Sequence, residues 1–586
     1  MNTIRKSHRQ HEGELRLQAR RHAPAQMSAM IGGAIHDAMS REHAAYYGRL
    51  RYLPLGVADE RGRLWATVLC NPETTAESSE LLRVRARVNP SDPFVQAVCS
   101  PLRGIPPVSQ FAGVAIDFTT RARIKLAGSV DVATLEGETL TLTLRANEHM
   151  GNCPKYITVR DLRPTSRAPQ TTALGAKLSS EARALLQLAS TIFIATQHSD
   201  ADPRESDMGF NHRGGPKGFL RYFEDDQGAH LVLPDYSGNR FYQSLGNVET
   251  DPVMGVAIPD FASGALIQVS GRARNLFDDE ASRIMPGASL ITLITIDEAF
   301  ITRGALDLAL ASEEQFSPYN PKLRLLASEA PRDQQGCALQ ATLVDVTKES
   351  GLISTFTFAL SAKAELVPGG HAIFDFSSRF DRSYQHMNDH DPQSLNDDYV
   401  RTYTVTKVSP DRRRIAITVK KTGFISSYLH ALAAPGGDPV EIGLKGFGGT
   451  FTCFEDGRAL PHMVWVAGGV GITPFLAMYQ ALRDSKQPIP DIDLFYSCRG
   501  DEIELIAGMT DIRVGVFDST ARVEHPDVGL RRFHRRRLRA ADFENVSTLD
   551  RATVFICGPG GFMTDVRSWV EPRIDSARLR FERFDF

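Results

Sequence analysis

Nowhere in these 586 residues do about 18 apolar residues run without a charge, so a membrane-spanning helix is not expected. A basic excess is missing as well. Lys and Arg number 67 against 70 Asp and Glu, a formal charge of -3, which argues against nucleic acid as the main partner. Cysteine is sparse: Cys70, Cys99, Cys153, Cys337, Cys453, Cys498 and Cys557 are odd in number, far apart and without a zinc or iron–sulfur spacing. Reduced thiols fit that pattern better than a disulfide framework. The basic start, MNTIRKSHRQHEGELRLQARRH, has no apolar run behind it and contains Glu12 and Glu14, so neither a secretory signal nor a mitochondrial presequence is expected. A cytoplasmic location is the default expectation.

What is present is an ordinary globular balance, 42% hydrophobic and 23% charged, over a length that calls for several cores. Residues 1–48 have helical composition. From Trp65 short β-rich runs dominate, punctuated by Gly, Pro and Asp. GVAIDFTTRARIKLAGSV, from Gly113, recurs as GVAIPDFASGALIQVSGRA, from Gly255, each preceded by an Asp-Pro (Asp92-Pro93, Asp251-Pro252), which predicts a duplicated β-barrel. The expected organisation is a helical segment (1–48), two barrel domains (49–165 and 166–300), a polar linker (301–335), a third barrel (336–458) and an α/β domain (459–586). The polar stretch Arg379–Asp398 is expected as an exposed loop.

Four motifs in the second half carry chemistry. MVWVAGGVGITPFLAMYQAL is a strand, a glycine turn and a helix: Gly468, Gly469 and Gly471 let amides approach a pyrophosphate, and Thr473-Pro474 opens the helix. RATVFICGPGGFMTDV repeats that grammar, with Cys557 at the strand end; a small buried thiol is its other reading. VRTYTVT presents Arg401, Tyr403 and Thr404 on one strand. KTGFISSYL puts Gly423, Ser426 and Ser427 at a helix start.

Taken in order, Arg-x-Tyr-Thr, Gly-x-x-Ser, GGVGITP and CGPGGFM resemble the ferredoxin–NADP reductase superfamily. The resemblance implies a Greek-key FAD-binding β-barrel followed by an α/β domain for NAD(P)H. Arg401, Tyr403 and Thr404 would contact FAD, with Thr404 near the reactive nitrogen, and Gly423, Ser426 and Ser427 would hold its diphosphate. Gly468, Gly469, Gly471, Thr473, Pro474, Cys557, Gly558 and Met563 would line the nicotinamide site. FERFDF resembles the closing strand, placing Glu582 and Phe584 near the flavin, with an ordinary terminal strand as the alternative. Thr404, Cys557 and Glu582 are the catalytic candidates. A ferredoxin-type C-x4-C-x2-C spacing is absent, so electrons are expected to leave FAD for something other than a built-in cluster.

In the first half, EHMGNCPKYI, FNHRGGPKGFLRY and LVLPDYSGNRFYQSLGNVETDP, with the repeat, resemble pyridoxamine-phosphate-oxidase-like FMN-binding split barrels. That likeness implies tandem split barrels of α+β type binding FMN through His212, Arg213, Lys217, Asn239, Arg240, Ser244 and Asn247, with Lys155 and Tyr156 from the first barrel. Solvated turn cations are the plain alternative for Arg213 and Arg240, and a strand cap for Asn247.

The expected activity is an electron relay from NAD(P)H through FAD to FMN and on to a small acceptor. The alternative is a reductase component whose barrel half docks a separate oxygenase or haem protein, motivated by LRRFHRRRLR, read as an Arg-rich helix. His386 and His390 share helical spacing, but no metal is expected. Arg499 could meet a 2'-phosphate against the repulsion of Asp501 and Glu502, which leaves NADH and NADPH open.

Overall fold

Apolar alternation in the first half builds the same sheet twice. β1 (Tyr52–Ala58), β2 (Leu64–Cys70), β3 (Glu73–Ala76), β4 (Leu81–Arg87), β5 (Gln110–Asp117), β6 (Ala122–Glu136) and β7 (Thr139–Gly151) lie in the order 2-1-5-6-7-4-3. Two short strands follow, β8 (Leu162–Pro164) and β9 (Gln170–Gly175). Then β10 (Thr191–His198), β11 (Asp207–Gly214), β12 (Arg221–Asp225), β13 (Gly228–Pro234), β14 (Val253–Asp260), β15 (Ala265–Phe277) and β16 (Leu290–Arg303) lie in the order 11-10-14-15-16-13-12, with β9 beside β16. Position for position the two orders agree. Each copy also carries a bulge at the same place, next to Gly128 and next to Gly271. The Asp-Pro pairs, in contrast, are not equivalent: Asp92 caps the helix Pro93–Val98, whereas Asp251 follows the end of the helix Gln243–Thr250.

The structure is a computed structural model that describes residues 10–23, 33–100, 110–151, 154–202, 206–329, 339–380, 387–432, 440–485, 487–521, 526–544 and 546–582. It divides into two units, Met1–Glu329 with Tyr384–Asp397, and Ala330–Ser383 with Asp398–Phe586. In the first, the outer faces of the two sheets share one core that includes Ala66, Val68, Val114, Phe118, Phe193, Phe210 and Phe261. The Phe of each repeated Asp-Phe meets its counterpart, Phe118 against Phe261, edge-on at 5.5 Å. Arg160 lies over both rings and is itself buried. Its guanidinium donates to Glu314 (2.7 Å), Ser190 Oγ (2.6 Å) and Thr191 Oγ1 (2.9 Å).

Two expectations need correction here. The stretch 301–335 is packed as far as Glu329: β16 runs through Arg303, β17 (Leu308–Leu310) pairs with β8, and Leu306, Tyr319 and Leu326 are buried. Residues 387–397, expected as an exposed loop, are mostly half-buried within the first unit. Polar rather than apolar contacts hold them, since Asn396 accepts from Ser237 N (2.9 Å) and donates to Tyr156 Oη (2.9 Å).

In the second unit β18 (Leu339–Lys348), β19 (Ile353–Leu360), β20 (His371–Asp375), β21 (Val400–Val408), β22 (Arg414–Lys420) and β23 (Glu441–Gly448) close a barrel in the order 18-19-22-21-20-23. A hairpin of β24 (Phe454–Glu455) and β25 (Arg458–Ala459) leads to β26 (His462–Gly468), β27 (Asp491–Ser497), β28 (Arg513–Phe517), β29 (Arg531–His534), β30 (Thr553–Cys557) and β31 (Leu579–Glu582). These last six form a parallel sheet ordered 29-28-27-26-30-31. β26 is apolar and buried along nearly its whole length, as a central strand covered on both faces must be. The Arg-rich stretch is edge strand β29 and turns, not a helix: parallel pairing with β28 overrides the helical propensity of arginine. Among the described residues no helix is long and apolar enough to cross a membrane.

Removing Arg160 leaves Glu314 with only the exposed Lys217 and opens a hole over two rings. Arg160→Ala should lower unfolding stability by about 3–5 kcal/mol, whereas Arg16→Ala, which breaks only the exposed Glu12 pair, should leave it unchanged within error. Equal urea midpoints for the two variants would contradict the role given to Arg160.

Candidate functional sites

In the parallel sheet the strand order reverses between β26 and β30, and in such sheets ligands bind beyond the strand ends at that reversal. Both glycine turns sit there. A Cβ on Gly471 would lie 2.5 Å from Cys557 O, and one on Gly558 3.1 Å from Gly468 Cα, so only glycine lets the two turns close on each other. Thr473 Oγ1 donates to Val470 O (3.1 Å), and Pro474 follows it at the start of the helix Thr473–Asp484. Met563 is not at this crevice but in the core with Val464, Val466 and Ile556.

The three catalytic candidates are connected by a residue the sequence reading passed over. His371 on β20 is the cross-strand partner of Thr404 on β21. Its Nδ1 stands 3.6 Å from Glu582 Oε1, and Glu582 on β31 is in register with Cys557 on β30. A signal existed: His371 is a polar residue opening a strand whose centre, Ala372–Phe374, is apolar and buried. Cys557 is fully buried, and burial, then the Glu582 charge, holds its thiol well above the ordinary range. It is therefore a packed thiol and not a thiolate nucleophile.

On the barrel, Arg401 is half-buried near Asp398 (3.9 Å), and Thr404 is buried. The Tyr403 ring packs edge-on against Phe374 at 6.1 Å in the barrel core. Ser426 Oγ accepts from Thr422 N (2.9 Å) and Gly423 N (2.8 Å), closing the start of the helix Phe424–Ala431, while Ser427 is half-buried on its first turn. Phe584 and His386 lie outside the described residues. Among those described, no group of three or more His, Cys, Asp or Glu could hold a metal.

The first unit holds an open cleft where the copies meet. It is lined by Arg123 and Lys125 of β6, Lys155 and Tyr156, Asn211–Gly214 of β11, and the run 234–244. Of the residues expected to touch FMN, His212, Arg213, Asn239, Arg240, Ser244, Lys155 and Tyr156 line this cleft. Two do not. Lys217 is exposed and reaches Glu314 (3.4 Å), because its turn faces the 313–329 segment. Asn247 is buried one helical turn beyond Ser244, bonded to His11 Nε2 (2.8 Å) and Thr196 Oγ1 (3.3 Å), so it anchors the N-terminal helix. Arg123, Lys125, Asp235, Tyr236 and Gln243 were missed. The cations Arg123 and Lys125 occur in one copy of the repeat only, facing Leu266 and Gln268 in the other, and that contrast was readable.

Positive charge prevails in the cleft. Arg123, Lys125, Lys155, Arg213 and Arg240 surround Asp235, which pairs with Arg213 at 3.1 Å and whose carboxyl is nevertheless raised by burial. Burial, reinforced by Arg123, Arg160 and Arg213, holds His212 well below its usual range and so neutral, and its Nε2 is buried with no partner among the described residues. Tyr236 Oη is likewise buried and unpartnered. Tyr156, Arg240 and Tyr242 all have left-handed backbone (φ 63, 57 and 60°), a strain that collects at working sites.

Residues 465–568 match the family described as the oxidoreductase NAD-binding domain. The chain carries an oxidoreductase NAD-binding domain there. Its relatives include a flavohemoprotein of Deinococcus radiodurans, 29% identical over 192 residues (31% of this chain, 45% of the relative). Phthalate dioxygenase reductase of Burkholderia cepacia is 29% identical over 191 residues (31% of this chain, 53% of the relative). The chain thus spans about half the length of these curated relatives. Among solved structures, the flavohem-like FAD/NAD-binding domain of a Vibrio cholerae nitric oxide dioxygenase is 23% identical, with 42% of this chain and 98% of that one covered and a TM-score of 0.31. Residues 465–568 of the second unit are thus the NAD-binding domain of an oxidoreductase.

A buried, protonated thiol resists alkylation. In the native protein at pH 8, iodoacetamide should label Cys557 at least roughly tenfold more slowly than half-buried Cys99, the difference vanishing on denaturation. Peptide mass spectrometry reads both rates, and equal native labelling would contradict the packed-thiol assignment.

Proposed function

We propose that this protein is an NAD(P)H-dependent flavoprotein oxidoreductase that relays electrons through FAD in the second unit to FMN in the cleft of the first, and on to a small acceptor. The cation-rich cleft carries the FMN part of this reading. A phosphate monoester brings close to two negative charges and several acceptor oxygens, which Arg123, Arg213, Arg240 and Lys155 complement, leaving Asp235 to orient Arg213. A ring acceptor would satisfy His212 Nε2, whose neutral imidazole is a hydrogen-bond donor without charge.

In the second unit Arg401, Thr404, Gly423, Ser426 and Ser427 would hold FAD, with Tyr403 supporting the strand from the core. Gly468, Gly469, Gly471, Thr473, Pro474 and Gly558 would admit the nicotinamide nucleotide. A flavin accepts one hydride with its electron pair and releases electrons singly or in pairs, so NAD(P)H can serve either kind of acceptor. His371 and Glu582, 3.6 Å apart, would hold or pass a proton as the flavin changes charge, and Thr404, the cross-strand partner of His371, would supply a hydroxyl.

A protein acceptor is the second reading. Of two relatives similar to this chain, phthalate dioxygenase reductase is a reductase by name and the 2-halobenzoate 1,2-dioxygenase electron transfer component an electron-transfer component by name. The Arg-rich segment lends this reading less than its sequence promised, because Arg531 donates to Ile506 O (2.7 Å) and Arg536 is paired with Asp542.

Denaturing the purified protein should release FAD and FMN in equal amounts, and Arg213→Glu should release FAD alone. Thr404→Ala should keep FAD but slow its reduction by NADH roughly fivefold, the equivalent of about 1 kcal/mol, whereas Arg401→Ala should lower FAD content. Wild-type protein that releases only FAD, and binds no added FMN, overturns the relay.

A further inference from the structure

We propose that residues 387–397, which lie between β20 and β21, are a strap latched onto the cleft of the first unit, and that Asn396 is the positioning residue that sets FMN for electron transfer from FAD. This rests on the FMN reading of the cleft.

β20 and β21 are antiparallel neighbours in the second unit, and such strands can be joined by a tight turn. Here β20 ends at Asp375 and β21 begins only at Val400, while residues 387–397 belong with the first unit. A connection of that length inside a compact domain calls for a task beyond turning the chain.

The strap has a shape of its own. Asn388 Nδ2 donates to Ser394 Oγ (3.0 Å), Asn388 Oδ1 accepts from Asp391 N (3.2 Å), and Ser394 Oγ donates to Asp391 O (2.6 Å). A 3-10 turn, Pro392–Asn396, follows. Side chains that bond their own backbone stiffen a segment with few apolar residues.

Its attachments converge on the cleft. Tyr319 Oη donates to Asp389, and Arg324 donates to Asn396 O (3.4 Å). The Asn396 amide makes the decisive pair: Oδ1 accepts from Ser237 N (2.9 Å) and Nδ2 donates to Tyr156 Oη (2.9 Å). Tyr156 Oη donates in turn to Ser237 O (2.7 Å), as does Lys155 Nζ (2.9 Å). Asn396, Tyr156 and Ser237 thus close a ring of hydrogen bonds. Tyr156 and Lys155 line the cleft, and Ser237 sits between two further lining residues, Tyr236 and Gly238. Tyr156 has left-handed backbone, a conformation that persists only where its surroundings hold it. One side chain of the strap therefore fixes two walls of the cleft.

The same chain runs directly into the strand assigned to FAD. Residues 397–400 join Asn396 to Arg401, a stretch that spans at most about 18 Å when fully extended. Electron transfer falls steeply with separation, so a latch at Asn396 governs its rate without touching either reacting ring. The step is FADH2 and FMN giving FAD and FMNH2. Two electrons pass from one ring system to the other, and the two protons released at the first are balanced by two taken up at the second, both exchanged with water.

The test mixes full-length protein, loaded with both flavins, with excess NADH in an anaerobic stopped-flow instrument. Half of the bleaching reports FAD, and the other half waits on transfer to FMN. Asn396→Ala should leave the first half at the wild-type rate and slow the second roughly tenfold or more, with FAD and FMN content unchanged. Should Asn396→Ala lose FMN, Asn396→Asp decides: its carboxylate still accepts from Ser237 N, only the donor to Tyr156 Oη is gone, and the second half alone should slow. Independently of turnover, the Ser237 amide should exchange with deuterium roughly tenfold faster in Asn396→Ala than in wild type, read by mass spectrometry with residue-level fragmentation. FMN-loaded variants in which both halves keep the wild-type rate, or in which both slow by the same factor, overturn this inference alone. So does loss of FMN from both variants, which would make Asn396 a binding residue. Wild type without FMN removes the FMN reading, and this inference with it.

Discussion

Arg160 lies over the rings of Phe118 and Phe261, 5.1 and 5.3 Å from their centroids, and spends its hydrogen bonds on Glu314, Ser190 and Thr191. A guanidinium so buried must be fully paired, because an unmatched charge in that environment costs several kcal/mol. The pairing binds together the shared ends of both repeats, the start of β10 and the chain beyond β17. It fixes the seam along which the two sheets meet. The cleft is one end of that seam, built from β6 of one copy and β11 of the other, so its cations converge only if the seam is held.

Duplication creates two such ends, and the chain treats them differently. At one, Arg123, Lys125 and Arg213 gather like charges at an open cleft, His212 Nε2 and Tyr236 Oη are buried without a partner among the described residues, and three left-handed non-glycine residues shape the rim. At the other, Leu266, Gln268, Thr67, Val68 and Leu69 fill the corresponding positions, and the Gln268 amide and Thr67 hydroxyl donate to Asp92 and Ala66 O, while Gln268 Oε1 is buried without a partner among the described residues. Cations gathered beside buried donors at an open cleft are what a ligand site requires. The second unit obeys a separate constraint: the reversal of strand order beside β26 leaves a crevice that the facing glycine turns alone keep passable.

Features set by neighbouring residues were legible in the sequence. A strand, a glycine turn and a helix announce themselves over about twenty residues, and Gly468–Thr473 and Cys557–Gly558 occupy the sheet reversal as their local grammar suggested. The repeat was legible from GVAIDF and GVAIPDF. Features set by distant pairing were not. His371 gains its place from Thr404 across one strand and from Glu582 some 211 positions away. Lys217 and Asn247 share loops with cleft residues but point elsewhere, because Glu314 and His11 wait on the other side. The Arg-rich stretch reads as helix by propensity and becomes strand by pairing with β28. Residues 387–397 look solvated by composition, yet Asn396 and Asp389 find partners in the first unit.

The account as a whole stands on one chain holding two redox-active flavins in series. Anaerobic titration with NADH, followed by flavin absorbance, counts the electrons the protein can store. Two flavins predict that bleaching continues until two equivalents of NADH per chain have been taken up, with the second equivalent entering as readily as the first relaxes through the relay. An endpoint at one equivalent, in protein shown to be fully loaded with FAD, would contradict it.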